Sequence, residues 1–433
     1  MGSVTQTTPT AAGRLRELWT EVPSAGRLLL VAVVVDSLGI GLTLPFTVIY
    51  LHEVRGIALP TVGLLMSLPP VVALALLGPT GSAIDRFGAR RVQMAALTFS
   101  MVGQLGLVFV HGPGTAAAAL AISGIGSAAF FPANLSLVAS VIPTGLRQRY
   151  FGLSFTVLNA GIGLGGIVSG LVVDVHQPRT FAAIYLADAA SYLVPLVILG
   201  VFLRGVGGPA RATRDTGPIA VPPTYAAVWR DRVFRRFLLV TFCASFVGYA
   251  QLEAGWTAFA RFVAHVSTRD IGIAFAVNTL VIVVLQLPVL QAIQGRRRTR
   301  MLVLMAAIWA VAWVFVGAAG LVGGALAVGL LVASGGIFGL GETLNAPVAP
   351  SLVNDLASDQ LRGRYNAANS IAFQMAAVLG PVTAGLLIGG GWDAAYIVLL
   401  LVGCALLAGL LLSLERRISP LANGVAPAEG GVS

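Results

Sequence analysis

Residues 146–150 read LRQRY, and residues 361–365 read LRGRY, 215 positions further along the chain. The same offset pairs Pro132 with Pro347 and continues without a gap well beyond both pentapeptides. A single register kept over so long a stretch is typical of a duplicated segment. The chain therefore contains an internal repeat, whose copies divide it into two similar halves.

The composition excludes an ordinary soluble protein. Of 433 residues, 57% are hydrophobic and only 10% are charged, and the mean hydropathy is +0.89. A soluble domain carries about 25% charged residues. A helix needs about 20 apolar residues to cross the hydrocarbon of a bilayer. Twelve such spans are predicted, at 27–50, 58–82, 92–110, 116–141, 150–173, 181–203, 236–260, 271–293, 301–319, 323–349, 365–389 and 393–414.

Repeat and spans together predict an all-α membrane protein with twelve transmembrane helices in two six-helix bundles, residues 1–204 and 234–433. Residues 205–233 contain the run GVGGPARATRDTGPIAVPPTY. This composition, rich in Gly, Pro and Arg, favours a cytoplasmic linker. Parallel repeats of this kind surround a central site near the bilayer midplane.

The charge distribution predicts the orientation. All 27 basic residues are arginine, and 23 of them fall on the side that holds both termini and the even-numbered connections. Basic residues stay on the cytoplasmic side, so both termini are expected in the cytoplasm of a cell with this protein in its plasma or inner membrane. We interpret the basic excess as topology rather than as a binding patch, and expect no nucleic-acid partner.

Residues 81–91, GSAIDRFGARR, resemble the signature between helices 2 and 3 of the major facilitator superfamily. The resemblance implies a loop that locks the cytoplasmic side in one state. Asp85 is expected to face the start of helix 11, near Arg362 and Arg364, and Arg147 and Arg149 hold the equivalent places in the first copy of the repeat. The matching signature residues are Gly81, Asp85, Arg86, Gly88, Arg90 and Arg91.

Predicted helix 5 resembles a glycine pattern found in exporters of this superfamily. The spacing is kept, although Gly166 replaces a proline and Ser169 replaces a glycine. The resemblance favours antiport, while simple close packing of helices is the alternative. Helix 4 has Ala121 or Ser123 where many proton-driven drug exporters carry an arginine, which excludes a mechanism that relies on that arginine. The predicted packing residues are Gly152, Gly161, Gly165, Gly166, Gly170, Gly380, Pro381 and Gly385.

Four acidic residues fall inside predicted spans: Asp36, Asp188, Glu253 and Glu342. A charge at the bilayer centre costs about 2.5–3.5 kcal/mol on insertion scales, so such residues face the protein interior and usually serve function. A carboxyl group in these surroundings can load and release a proton. The alternative is a carboxyl group that only holds helices together by hydrogen bonds, and the sequence around Asp188 favours this.

Several polar or aromatic residues inside the spans are candidates for a substrate cavity, with hydrogen bonding between helices as the alternative for each. Because no arginine lies in the middle of a span, the cavity suits protons with cationic or neutral lipophilic compounds rather than anions. The run GIGLGG at 161–166 fits a dinucleotide fingerprint but lies inside an apolar helix; no cofactor or metal is expected. The candidates are Asn159, Gln251, Trp256, Asn278, Asn345 and Gln374.

These observations predict a secondary active transporter rather than an enzyme. We expect proton-coupled efflux of small amphipathic or cationic molecules by a monomer, in which proton entry from outside neutralises a buried acid while the two halves rock about the midplane. The alternatives are a proton symporter for a neutral nutrient such as a sugar and a membrane receptor or scaffold that does not transport.

Overall fold

A computed structural model of the protein describes residues 19–208, 230–356 and 362–425. Within these ranges the chain is nearly all helical and has no strand. The helices are α1 Ser24–Val54, α2 Leu59–Phe87, α3 Ala89–Val108, α4 Pro113–Val141, α5 Thr144–Val172, α6 Pro178–Phe202, α7 at 232–263, α8 Thr268–Ala292, α9 Arg298–Ala319, α10 Gly324–Leu356, α11 Arg362–Gly389 and α12 Asp393–Glu415.

The all-helical membrane fold predicted from the sequence is confirmed. In the described part of the chain, eleven of the helices are long and apolar enough to cross a membrane. The other, α3, is a helix of 20 residues whose hydropathy is lowered by Arg90, Arg91, Gln93 and Gln104. The twelfth crossing therefore stays a prediction, one with which the helical geometry is consistent.

Local sequence explains where several helices begin. Pro113 and Pro178 occupy the first turns of α4 and α6, where a missing N–H costs no hydrogen bond. Ser267 caps α8 by accepting a hydrogen bond from the N–H of Asp270. Gly88 separates α2 from α3 with a φ of 85°, a conformation that glycine adopts without a steric penalty.

Both halves use the same order of helix packing, as an internal repeat produces. In the first half α1 packs against α5 and α6, and α4 packs against α2 and α3. In the second half α7 packs against α11 and α12, and α10 packs against α8 and α9. Buried aromatic rings fill the second half, where Trp309 stacks on Phe338 with ring centroids 4.9 Å apart.

The halves meet at the end of the bundle opposite the arginine-rich connections, which we call the closed end. Here α5 crosses α8 and α2 crosses α11. A Cβ atom on Gly272 would lie 2.6 Å from the carbonyl oxygen of Gly166, and one on Gly385 would lie 3.0 Å from Cα of Gly63. Only small residues let the helix backbones approach this closely.

The other end, which we call the arginine-rich end, lacks such crowding at the signature residue Gly81 and at the predicted packing residue Gly152. A Cβ atom on Gly81 or Gly152 would have no other atom within 4 Å. Among the described residues, the hydrogen bonds and ion pairs that join the two halves all lie at the closed end. The structure is therefore sealed at the closed end.

An ion pair reinforces this seal. Arg261 donates two hydrogen bonds to Glu53, with Nε 2.6 Å from Oε1 and Nη2 2.9 Å from Oε2. The neighbouring residues also touch, because the rings of His52 and Phe262 meet edge to face at 4.7 Å. Both contacts join two π-helical turns, one at the end of α1 and one at the end of α7. Equivalent places in the two halves therefore face each other.

We predict that Glu53→Gln opens the closed end more often. A bidentate pair whose side chains are 22% and 24% exposed contributes about 1–2 kcal/mol, between a buried charged hydrogen bond and a surface pair. Its loss should raise the open population about tenfold. Spin labels on His176→Cys and Leu321→Cys, with Cys243 and Cys404 replaced, would report the longer distance.

The exchange Glu53→Arg with Arg261→Glu should restore the closed distance, because it keeps the pair with its charges reversed. Glu415→Gln is the matched control, since Glu415 pairs with Arg297 and Arg300 inside the second half at the arginine-rich end. An unchanged label distance in Glu53→Gln would show that the ion pair does not hold the seal.

Candidate functional site

Two of the predicted proton-coupling acids come together inside the first half. Asp36 on α1 is 6% exposed, and Asp188 on α6 is fully buried. Both acids lie at the crossing of α1 and α6, because Gly39, three residues after Asp36 on α1, packs against Asp188. The helices can approach here because of Gly39, where a Cβ atom would lie 2.6 Å from Oδ1 of Asp188. The structure thus creates a pair of acids between α1 and α6.

Three hydroxyl groups on α1 and α6 lie in a series that begins at Asp188. Thr43 Oγ1 donates to Oδ2 of Asp188 at 3.0 Å, Thr47 Oγ1 donates to the carbonyl of Thr43, and Tyr185 OH lies 3.3 Å from Thr47 Oγ1. The sequence analysis missed Thr43. It lies seven residues after Asp36, two turns along the same helix face, and that spacing was the signal available.

No basic group in the described part of the chain forms an ion pair with these two acids. Among the described residues, no ion pair reaches Asp36 or Asp188, and Oδ1 of each carboxyl group has no hydrogen-bond partner. An isolated buried carboxylate is costly because the surroundings cannot replace its hydration. The geometry is therefore suited to a group that binds a small cation, of which the proton is the simplest.

The second half holds another buried acid. Glu342 on α10 is 7% exposed, and its Oε2 accepts a hydrogen bond of 2.8 Å from Nδ2 of Asn278 on α8. Asn278 also donates to the carbonyl of Gly335 at 3.2 Å. Of the residues predicted to line the cavity, Asn278 is thus brought into contact with a predicted proton-coupling acid.

A polar and aromatic group lies near α7 and α10. Nδ2 of Asn345 donates to the hydroxyl of Tyr249 at 3.3 Å, and the ring of Tyr249 lies 6.3 Å from that of Phe373, which is 40% exposed. No local pattern in the sequence pointed to Tyr249, because only the fold brings α7 and α10 together.

The remaining cavity candidates are placed differently. Gln251 is fully buried and accepts a hydrogen bond from Tyr396 OH at 2.9 Å. Trp256 is 2% exposed and donates to Ser334 at 3.0 Å. Both residues use their polar groups to join helices within the second half. The partly buried Asn159 and Gln374 lie on α5 and α11, where Asn159 donates to a carbonyl of its own helix.

Glu253 differs from the other three acids. It lies on the π-helical turn Leu252–Trp256 of α7 and is exposed. An ionisable side chain at membrane depth usually faces the interior of the bundle or a water-filled cavity rather than lipid. Glu253 is therefore the acid among the four that the static structure leaves accessible.

At the predicted gate, two arginines bind backbone carbonyl groups of the first half. Arg90 donates to the carbonyl of Leu199 on α6 at 2.9 Å. Arg147 donates to the carbonyls of Ala139 and Ile142 at the end of α4, at 2.6 and 3.0 Å. Positive side chains stabilise the C-terminal ends of helices in this way.

The other gate residues lie mostly at the surface of the arginine-rich end. Arg149 forms an exposed ion pair with Glu21 at 3.6 Å. Asp85 is exposed, and no ion pair between described residues includes it. The side chain of Arg362 lies outside the described residues, and Arg364 is half-buried on α11. Also exposed are Gly81, Arg86 and Arg91.

The predicted packing residues other than Gly152 serve four different helix contacts. Gly165 faces α1, where a Cβ atom would lie 2.8 Å from Cα of Gly41, and Gly161 faces Ser37 on the same helix. Gly170 faces α8, and Gly166 supplies the carbonyl oxygen that approaches Gly272. The contacts of α11 with α7 and α2 use Gly380, Pro381 and Gly385.

We predict that Asn278→Leu destabilises the protein by about 1–3 kcal/mol, because it leaves the buried carboxyl group of Glu342 without its donor. Combining it with Glu342→Leu should recover much of this loss, since replacing both polar partners is nearly neutral. Thermal unfolding of the purified protein in detergent is the measurement.

Asn159→Leu is the matched control, because Asn159 bonds only to the carbonyl of Phe155 on its own helix among the described contacts. An Asn278→Leu variant no less stable than this control, or a double variant less stable than Asn278→Leu alone, would contradict the pairing.

Comparison with known proteins agrees with this architecture. The family model described as Major Facilitator Superfamily matches residues 29–332 and 254–431. An uncharacterised MFS-type transporter of Bacillus subtilis, YttB, is 24% identical over 92% of this chain and 96% of its own length. The quinolone resistance protein NorA of Staphylococcus aureus is 24% identical over 55% of this chain and 58% of its own length.

Solved structures share the fold. The nucleoside transporter NupG matches with a TM-score of 0.71 at 11% identity, over 92% of this chain and all of that one. A bacterial homologue of the human lysosomal transporter Spinster matches with a TM-score of 0.67 at 14% identity, over 92% and 98% of the two chains. With twelve helical segments in its described part, packed as two similar halves, and a family match along almost its whole length, this chain belongs to the major facilitator superfamily of membrane transporters.

Proposed function

We propose that this transporter exports small amphipathic or cationic molecules in exchange for protons. The observation that carries the proposal is the buried acid pair of Asp36 and Asp188, which has unbonded carboxyl oxygens and no cationic partner among the described residues. A proton bound to such a pair removes the cost of a buried charge. Loss of that proton restores the cost, which a cationic substrate or a change in conformation can then offset.

The state of the two ends supports alternating access. If arginine-rich connections lie in the cytoplasm, as the positive-inside rule expects, the sealed end faces outward. The exposed Asp85 would then form the predicted cytoplasmic lock when the halves rock to the other state. The buried acids fit a protonated, inward-facing state, with the proton having entered from outside.

The second half suggests the kind of substrate. Glu253, Asn345, Tyr249 and Phe373 offer a carboxyl group, an amide and two aromatic rings on α7, α10 and α11, and no arginine lies in the middle of a span. Aromatic faces and carboxylates attract organic cations. The partial similarity to NorA, named for quinolone resistance, favours export of such compounds, as does the glycine pattern of α5.

We predict that Asp36→Asn, Asp188→Asn and Glu342→Gln each abolish or alter the dependence of transport on a pH gradient. Asn and Gln keep the shape of the side chain but cannot release a proton. The measurement is accumulation of labelled tetraphenylphosphonium in proteoliposomes that are acidic inside, where an antiporter concentrates the cation as protons leave.

Asp270→Asn is the control, because this residue lies in the first turn of α8 at the closed end, and asparagine can still accept the hydrogen bond from Ser267. Should all three variants keep wild-type transport driven by the gradient, the assignment of proton coupling to these acids is wrong. Accumulation only with acid outside would instead identify a symporter.

A further inference from the structure

A groove of about 670 Å³ runs along the second half between α7 and α11. Its walls are apolar: Leu239, Ile371 and Met375 are 53%, 42% and 44% exposed. The hydrogen bond from Thr241 to Asn369, 2.7 Å long, joins the two helices beside it. At its arginine-rich end, the groove is lined by Arg232, Arg235 and Arg236.

The α11 wall of the groove points away from the polar group of the second half that includes Tyr249 and Asn345. Ile371 and Met375 each lie two residues from Phe373, which places them about 200° away around a helix of 3.6 residues per turn. Phe373 contacts Tyr249, whose hydroxyl binds Asn345 on α10. Because Phe373 points to the polar group of the second half, Ile371 and Met375 point away from that group.

In the described part of the chain, the three arginines do not pair with neighbouring acids. Asp231, the acid next to them, accepts hydrogen bonds from the N–H groups of Val233 and Phe234 with one oxygen and from Tyr365 with the other. No ion pair between described residues includes any of the three arginines. The N-terminal end of α7 adds a further partial positive charge.

A second depression, of about 500 Å³, continues this basic surface onto α12. Arg236 joins the two, because its Nη1 donates to Ser413 in the depression at 2.8 Å. Arg416 and Arg417 line the same depression. The acid between these residues and Ser413, Glu415, is already bonded to Arg297 and Arg300.

We propose that this groove is a binding site for an anionic phospholipid of the leaflet at the arginine-rich end. The phosphate would bind Arg232, Arg235 and Arg236, and one acyl chain would lie along Leu239 and Met375. Guanidinium groups bind phosphate oxygens in pairs, and basic pockets between transmembrane helices bind anionic headgroups. Free phosphate would use the basic end alone and leave the apolar wall exposed.

The site does not depend on the proposed transport function, so binding can be measured directly. Native mass spectrometry of the full-length protein, with equal amounts of phosphatidylglycerol and phosphatidylcholine, should retain phosphatidylglycerol preferentially. Arg232→Gln with Arg235→Gln should weaken its binding about 30-fold, since each basic residue near the surface contributes about fivefold. Ala372→Phe, which fills the apolar part of the groove without a charge change, should weaken it as well.

Arg204→Gln with Arg296→Gln is the matched control, because both residues are exposed near the same end and lie outside the groove. It should bind phosphatidylglycerol as the wild type does. Equal retention of both lipids, or an equal loss in the control pair, would overturn the proposal. So would displacement of the lipid by inorganic phosphate with no effect of Ala372→Phe, which would identify a site for the phosphate group alone.

Discussion

Hydrocarbon cannot hydrogen-bond to a carboxyl group, and this constraint governs where the acids of this transporter lie. Three of the four acids in the spans are buried, each between helices of its own half. The carboxyl group of each has different neighbouring groups. Glu342 has an amide donor from Asn278, Asp188 has a hydroxyl donor from Thr43, and Oδ1 of Asp36 has no hydrogen-bond partner among the described residues. None of these pairings with a described residue involves a base. The acids are therefore held in place by neutral groups, which leaves their charge free to change.

Because the two halves are duplicated, they contact each other through equivalent segments. Equivalent π-helical turns at the ends of α1 and α7 face each other, and glycine pairs between α5 and α8 and between α2 and α11 bring backbones together on both sides of them. Close packing provides the attraction between helices in lipid, because there is no hydrophobic effect to drive it. A contact made of small residues and one ion pair can also be broken without exposing a large buried surface, which suits a seal that must open.

The arginines serve more than one purpose. Their distribution sets the orientation expected from the sequence, but the structure also uses Arg90 and Arg147 to bind carbonyl groups. At the start of α7, three arginines border an apolar groove between α7 and α11. The proposed lipid site would give the arginines of this region a second role beside topology. One set of residues can fix the orientation of a helix and also offer a surface to a lipid headgroup.

The sequence by itself determined the fold class, the duplication and the family, because hydropathy over about 20 residues and a fixed offset are properties of the chain read in order. It also identified the acids, since a charge within an apolar span stands out. Only the tertiary structure decided which of them meet. The crossing of α1 and α6 brings Asp36 and Asp188 to the same interface. Gln251 and Trp256 form hydrogen bonds to neighbouring helices instead of lining an open cavity. These outcomes depend on the rotation of each helix and on contacts between residues far apart in the chain, and local patterns do not encode either.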